Sequence, residues 1–498
     1  MIRFVHLTQW SLAGFMLAAG ANGRGWLYSI LGLALLIGGL RGHQRRSRLI
    51  AVGTAASIWF GIHVAWMQVL GIDAWLLLVT LCVLPWLLLA VIPLPQRGLS
   101  LYLVPTSLIV LIEWLHDNVP WGGFPWGNLA YSQLDGPFVG FATLGGQSLV
   151  TVVVCVLAIA VVRLVQHRKL PSVAAIFLFL SFASNWAQGA PGTATAEQVI
   201  IAVIQGGSSD QELRQEQEQW QVFNRHIQQT EQLASAIESG TVASPELIVW
   251  PENSTDVDPL NNAAAYKRIQ ALVERVQVPV LIGGVTWQSN PYGPRNAGVL
   301  WEPESGPSQL YAKTHLVPFG EYIPFRDLLV ARIGRLSQIA SDFVPGRDPG
   351  IFELRGRTFG DVICFEIAYE DHLTELVHGG ADFFTLQTNN ATYLGTNQSE
   401  QQMAIARFRA IEHRRSIAMA STTGVSGLID DSGEVVAQSK QGESTYLSAA
   451  IPSVSSTTFT DRHPHWVVVL ALWSFAIWST GQMRNKRRVN AISHTGNR

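Results

Sequence analysis

Two textures divide the chain. From the N-terminus to about residue 190 apolar residues run with few breaks, and between Leu49 and Ile112 the formally charged residues are Asp73 and Arg97. At about 1.5 Å per helical residue, a run of that length crosses a hydrocarbon layer of roughly 30 Å several times. The pattern predicts spans at 4–20, 26–40, 49–70, 74–93, 99–115, 139–162 and 170–186, with an eighth at 465–481 (HWVVVLALWSFAIWSTG). The first has the look of a secretory signal, Arg3 preceding an apolar stretch that ends near Ala18-Ala19-Gly20. The span that follows at once makes it an anchor instead. Glu113 and His116, at the end of the fifth span, read as juxtamembrane.

Residues 190–464 are polar and mixed in charge. Apolar runs predict strands at Val199–Ile204, Glu246–Trp250, Val278–Val285, Ala297–Trp301, Thr358–Phe365, Asp382–Gln387, Ser416–Ser421, Ser426–Asp430 and Val435–Ala437. A period near 3.6 predicts helices over 211–239, 261–276 and 399–414; in the last, Gln402, Ala406, Arg409 and Glu412 share turns. A turn at Asp431–Ser432–Gly433 closes the hairpin LIDDSGEVVA. Strand–helix alternation giving way to hairpins predicts an α/β sandwich of about 260 residues. The expected organisation is a seven-span membrane domain over 1–190, an α/β domain over 191–463, and an eighth span with a basic tail over 464–498.

Composition agrees with that division. The chain is 48% hydrophobic and 14% charged, against about 25% charged in an ordinary soluble protein. A net charge of −2 without a basic stripe excludes a nucleic-acid partner. The positive charge sets orientation. Arg41, Arg45, Arg46 and Arg48 follow span two, Arg97 follows span four, Arg163, Arg168 and Lys169 follow span six, and Arg484, Lys486, Arg487 and Arg488 follow span eight. All fall on one side if both termini are cytoplasmic, with Arg24 alone dissenting. The loop 116–138 and the α/β domain then lie on the extracytoplasmic face. Of the three cysteines, Cys82 and Cys155 sit in apolar runs. No paired-cysteine framework and no Cys/His metal spacing occurs, so neither metal nor cofactor is expected.

The third cysteine carries the chemistry. In GDVICFEIAYED (360–371), Cys364 stands between a strand and a helix start predicted at Tyr369–Glu370–Asp371, where backbone N–H groups favour a thiolate. Glu366 is two positions on. ELIVWPEN (246–253) is a buried strand that ends in Pro251 and Glu252, opening onto the crevice where α/β folds place chemistry. YAKTHLVPFGEYIPF (311–325) offers Lys313 at another strand end, then a Pro/Gly turn carrying Glu321. An acid, an ammonium and a thiol at strand ends of one domain are the parts for covalent acyl transfer. The carboxylate takes the thiol proton, the thiolate attacks a carbonyl, and the lysine steadies the oxyanion.

These three stretches resemble the Glu–Lys–Cys triad of the carbon–nitrogen hydrolase (nitrilase) superfamily. With the span-rich first half, the loop VPWGGFPWGNLAYSQ (119–133), ARFRAIEHRR (406–415) and TTGVSGLID (422–430), the chain resembles the apolipoprotein N-acyltransferases of bacterial membranes. The resemblance implies a multi-span α-helical membrane domain of eight spans joined to a nitrilase-like αββα sandwich. It implies that Cys364 takes an acyl chain from a phospholipid donor as a thioester. The N-terminal amine of a diacylglyceryl apolipoprotein acceptor then collects it. By the same resemblance Glu252 is the general base, Lys313 the oxyanion stabiliser, Glu321 and Glu366 supporting carboxylates, and Trp220, Tyr393 and Asn389 substrate contacts. The implied location is the bacterial plasma (inner) membrane, multi-pass, with the lipid bilayer as the remaining partner; a monomer suffices. The segment NNATYLGTNQSEQQ (389–402) departs from the family's pattern, with Asn390 where an aspartate is usual. Two rivals remain: a membrane-tethered amidase or nitrilase in which water resolves the thioester, and a lipid-binding sensor or transporter with a degenerate domain. The near absence of charge inside the spans speaks against transport.

Overall fold

The computed structural model describes residues 2–167, 170–189, 197–207, 220–330 and 341–495. Arg168, Lys169 and positions 211–219 of the first predicted soluble helix lie outside the described residues. The chain divides into two compact units, Met1–Ala190 with Arg462–Arg498, and Pro191–Asp461.

The first unit is helical, with Ile2–Ala21, Trp26–Leu40, Arg45–His63, Ile72–Val91, Ser100–Asn118, Ala142–His167, Leu170–Gly189 and Trp466–Thr495. Each overlaps one of the apolar runs. Among the described residues three helices are long and apolar enough to cross a membrane, Ile72–Val91, Val139–His167 and Trp466–Arg484; Trp26–Leu40 and Ala174–Ala187 are apolar but shorter. The third apolar run ends early as a helix, at His63, and continues as a 3₁₀ turn over Ala65–Leu70. Its first turn carries arginines, a poor match for the positive end of a helix dipole. Arg48 escapes by donating to Leu89 O at 2.8 Å and to Ile92 O, at the carbonyl end of the neighbouring helix.

Glu113 and His116, expected at the end of the fifth span, are both buried against protein. Glu113 accepts from Leu129 N at 2.8 Å and from Thr151 Oγ1 at 2.6 Å, and Asp117 accepts from Asn128 Nδ2 and Gln147 Nε2, both at 2.9 Å. These carboxylates anchor the loop 119–133 from beneath. A hydropathy pattern locates a span but does not say which of its faces meets protein.

The second unit has two six-stranded sheets. The strands are β1 (Glu197–Gln205), β2 (Leu247–Val249), β3 (Val280–Ser289), β4 (Tyr292–Glu302), β5 (Gly306–Ala312), β6 (Ile351–Leu354), β7 (Arg357–Ile363), β8 (Phe383–Thr388), β9 (Ile417–Ser421), β10 (Gly427–Ile429), β11 (Val435–Gln438) and β12 (Thr445–Ser453). One sheet runs β12-β1-β2-β3-β4-β5, the other β11-β10-β9-β8-β7-β6. Pairing is parallel for β1–β2–β3 and β7–β8–β9, and antiparallel outside them. Parallel central strands end together, which gathers their following loops at one edge.

Alternation puts Val199, Ile201, Leu247, Val249, Leu281, Leu300, Phe359 and Ile363 into a core between the sheets. The opposite face of the first sheet packs Ile248, Trp250, Val280 and Ile282 against Phe223, Ile269 and Val273 of helices Gln221–Glu238 and Ala263–Val276. Helices Glu370–His378 and Gln398–His413 cover the second sheet, completing the αββα order. Two strands escape the sequence pattern. β6 is only four residues long, and β12 is an edge strand carrying Pro452, which an edge tolerates because no ladder bond is lost.

Candidate active site

Three strand ends meet at the mouth of the sandwich. β2 delivers Glu252 through Trp250-Pro251. Gly283 on β3 permits this, because a Cβ there would lie 2.2 Å from Pro251 O. β5 delivers Lys313, whose N–H donates to Asn296 O at 2.9 Å. β7 delivers Cys364 at a positive φ of 57°, the sharp reversal that lifts the thiol off the strand into a 3₁₀ turn over Cys364–Ala368. Such a φ costs a non-glycine residue about 1–2 kcal/mol, held here by the surroundings.

The lysine ammonium, 1% exposed, lies 3.4 Å from Glu252 Oε1 and 3.0 Å from Glu321 Oε1. Asn296 on β4 links the same two carboxylates, donating through Nδ2 to Glu252 Oε1 at 2.5 Å and Glu321 Oε1 at 2.9 Å. Glu252 Oε2 accepts from the Asn389 N–H at 2.8 Å, and Glu321 Oε2 from the Val317 N–H at 2.8 Å. Two carboxylates thus share one cation and one amide. Burial pulls the Lys313 ammonium down, but Glu252 and Glu321 outweigh it and hold the lysine charged. The Cys364 thiol is pushed up to about 12, by burial first and by the Glu252 charge second, with Lys313 opposing. A thiol so placed is not a standing thiolate. It loses its proton only as the base beside it accepts one.

Glu366 behaves oppositely. Its Oε1 accepts from Tyr311 OH at 2.8 Å, Thr314 N at 2.8 Å, Thr314 Oγ1 at 3.1 Å and His315 N at 3.0 Å, and its Oε2 from Ile363 N at 2.9 Å. Burial alone would raise it, yet His372, His315 and Lys313 together with these donors hold it well below the usual carboxylate range. It clamps the residue before Cys364 to the two residues after Lys313, fixing nucleophile and lysine in one frame. His315, Glu366 and His372 come close enough to suggest a metal site; Glu366 Oε1 already accepts from four donors, whereas Oε2, among the described residues, accepts from Ile363 N alone.

Beneath the thiol lies an amide cluster. Gln402 Nε2 donates to Cys364 O at 3.0 Å, and Gln402 Oε1 accepts from Thr388 Oγ1 at 3.0 Å and Asn390 Nδ2 at 2.8 Å. Asn390 Oδ1 in turn accepts from Ser421 Oγ at 2.8 Å. Arg409 donates to Ile367 O and Ala368 O, at the end of the nucleophile turn. The atypical segment 389–402 is therefore fastened under the nucleophile, and Asn390 serves a network of amides.

The structure brings Glu252, Lys313, Glu321, Cys364 and Glu366 together. Tyr393 joins them: burial and the nearby Cys364 push its phenol up to about 12. Asn389 reaches the site through its backbone, while its side chain turns back to accept from Ala391 N at 3.1 Å. Trp220 is not brought in. It meets Phe223 edge-on at 5.6 Å, packed against the core on the far face of the first sheet. Asn296 went unnoticed in the sequence, although an asparagine inside the strand run NAGVLW is a poor strand former and so a usable signal.

The carbon–nitrogen hydrolase family model matches residues 200–459, and that of the apolipoprotein N-acyltransferase N-terminal domain matches residues 13–160. Among similar proteins, the apolipoprotein N-acyltransferase of Mycolicibacterium smegmatis is 31% identical over 347 residues, covering 65% of this chain and 58% of the relative. That of Haemophilus ducreyi is 26% identical over 470 residues, 89% of this chain and 90% of the relative, and that of Vibrio cholerae 25% identical over 480 residues, 89% and 91%. Among solved structures, an amidase mutant from Nesterenkonia sp. AN1 is 16% identical, covers 53% of this chain and 96% of its own, and superposes with a TM-score of 0.38.

Proposed function

Because the chain belongs to the carbon–nitrogen hydrolase family and also carries the apolipoprotein N-acyltransferase N-terminal domain, we propose that it N-acylates apolipoproteins through a thioester on Cys364. The donor is a membrane phospholipid. Glu252 takes the thiol proton as sulfur attacks the ester carbonyl, and the ammonium of Lys313 faces the oxygen on which charge develops. The ester C–O bond breaks, the Glu252 proton passes to the departing alkoxide, and a lysophospholipid leaves. The N-terminal amine of the diacylglyceryl apolipoprotein then attacks the thioester. An amide C–N bond forms, the C–S bond breaks, and the amine proton returns through Glu252 to sulfur.

The observation that supports these roles best is the placing of Lys313 between two carboxylates beside the thiol. When Glu252 is protonated in the cycle its attraction for the ammonium fades. Glu321 keeps the lysine in place while the base changes charge, and Asn296 keeps the two carboxylates apart in register.

Both substrates are bilayer lipids, which gives a reason for the helical unit. The eight helices are eight spans, both termini are cytoplasmic, and the domain 191–463 faces the extracytoplasmic side of the plasma membrane; the arginine clusters support this orientation. Tyr393 borders the acyl carbonyl. One chain holds the whole triad, so a monomer suffices.

Incubating the full-length protein in detergent with a defined phospholipid tests the reading by intact mass. A hydroxylamine-labile acyl adduct on Cys364 is expected, transferable to a diacylglyceryl peptide, and Cys364→Ser lowers its formation by at least about 10³-fold. An adduct on another residue, or ammonia release from small amides with no peptide acylation, refutes it.

A further inference from the structure

The space between the sheets buries a carboxyl that no step of the reaction touches. Asp361 lies on β7 three residues before Cys364, between Phe359 and Ile363 of the inter-sheet core, and is 0% exposed. Its Oδ1 accepts from Thr385 Oγ1 at 2.7 Å. Its Oδ2 has no hydrogen-bond partner among the described residues. Gln387, on the neighbouring strand β8, donates through Nε2 to Trp250 O at 2.5 Å and leaves Oε1 equally bare. The two bare oxygens converge. A Cβ on Gly298 of the opposite sheet would lie 2.3 Å from Asp361 Oδ2 and 2.7 Å from Gln387 Oε1, so they can be no further apart than those two lengths end to end.

Two unpaired acceptors facing one another in an apolar core are unfavourable, each leaving water without a replacement donor. Turning the amide over does not relieve them. Trp250 O can only accept, so the NH₂ of Gln387 must stay where it is and its oxygen must face Asp361. Of the pair, Asp361 is the group that can carry a proton.

We infer that Asp361 is the neutral acid, donating its O–H from Oδ2 to Gln387 Oε1, and that this pair positions the peptide leading into Glu252. The result is a directed chain: Thr385 donates to Asp361, Asp361 to Gln387, and Gln387 to the carbonyl two residues before the base. Asp361 is thus a positioning residue, and its role rests on the function proposed above for Glu252. Gly298 is required because any side chain would wedge the pair apart. Burial, with a smaller contribution from the Glu366 charge, pushes the Asp361 carboxyl up to about 8. The titratable groups whose charge reaches it are Glu366 in the nucleophile turn, held ionised, and the Tyr311 phenol on β5, pushed well above its ordinary value. His372 behind them is held down by burial. β4 and β8 face it with Gly298, Thr385 and Gln387, which do not titrate.

Asp361→Asn and Asp361→Ala in the full-length protein test this. The asparagine Nδ2 supplies the donor to Gln387 permanently, and its Oδ1 keeps the Thr385 bond. Asp361→Asn therefore forms the Cys364 acyl adduct within about twofold of wild type at pH 7, whereas Asp361→Ala slows it on the order of tenfold. As pH rises through about 8 the wild-type rate falls relative to that of Asp361→Asn. If Asp361→Asn is as slow as Asp361→Ala, or the two pH profiles stay parallel, the inference is wrong. Thermal unfolding supplies a readout without turnover. The folded state keeps a proton that the unfolded chain releases above about pH 4. Wild-type stability relative to Asp361→Asn therefore declines from about pH 4 to the folded value and then levels. A constant gap overturns the inference even if the adduct chemistry stands, and a missing wild-type adduct sinks the functional reading while leaving this gap to be measured.

Discussion

The strand that leads into Cys364 and the turn that leads away from it each bury one carboxyl, and the two are in opposite states. Asp361 and Glu366 are both 0% exposed. Asp361 has the Thr385 hydroxyl and the Val362 N–H beside it and is still driven upward; Glu366 accepts from five donors and is held down. Depth of burial is therefore not what decides. Neighbouring charge and donors are: His372 and Lys313 favour the anion at Glu366, and each N–H or O–H returned to a carboxylate replaces a water that burial removed. The difference suits the positions. The strand needs a neutral strut that can cross an apolar core, and the turn needs an anion strong enough to bind two backbone segments from different strands.

The largest test of this contrast removes the anion. Glu366→Ala strands the N–H groups of Ile363, Thr314 and His315 and the Tyr311 hydroxyl in the interior, and should destabilise the catalytic domain by about 3–5 kcal/mol. Glu366→Gln is intermediate, about 1–3 kcal/mol, since one end of the amide still accepts while its NH₂ faces a donor. Both should slow acyl-enzyme formation, because nucleophile and lysine are no longer held in common. Unfolding of detergent-solubilised variants measures the order. Equal losses for Glu366→Gln and Asp361→Asn would erase the contrast.

Acid separates the two residues by sign. The folded value of Glu366 is depressed, so its contribution is complete above the unfolded carboxylate range of about 4.3 and is lost as pH falls towards the folded value. Asp361 runs the other way, contributing fully at low pH and losing that contribution as pH rises through about 8. The unfolding gap between wild type and Glu366→Gln should thus narrow below about pH 4, in the range where Asp361→Asn and wild type converge. Tm measured at pH 3.5, 5, 7 and 9 checks both signs at once.

How legible these residues were follows from the range of their contacts. Glu252, Lys313 and Cys364 stand out in the sequence because each closes an apolar strand beside a Pro/Gly or helix-start signal, a local pattern. Most strands and the helices 261–276 and 399–414 were legible for the same reason. The partners of the triad were not. Gln387 reaches Trp250 across 137 positions and Asn296 reaches Glu252 across 44, and no periodicity encodes a contact made between sheets. Trp220 shows the reverse failure. A tryptophan just before a helix could serve a substrate or a core, and the helix it starts decides for the core. Asp361 reads as an ordinary polar residue until Gly298 and Gln387 are seen to leave no room for a charge.

The smallest effect is the most discriminating. Thr385→Val deletes the donor to Asp361 Oδ1 and keeps the shape of the side chain. If Asp361 is a neutral acid, its carbonyl oxygen loses one ordinary hydrogen bond, and the domain should lose about 0.5–1.5 kcal/mol. Its carboxyl moves further up, so the alkaline decline in acyl-enzyme formation shifts to higher pH. If Asp361 were instead an anion, the same substitution would leave a buried charge with no side-chain donor, and the loss would reach about 3–5 kcal/mol. Chemical unfolding of the Thr385→Val protein beside wild type at pH 7 distinguishes a loss near 1 kcal/mol from one several times larger. The first outcome keeps the two carboxyls in opposite states; the second makes them alike, and would require Gln387 to find its donor elsewhere.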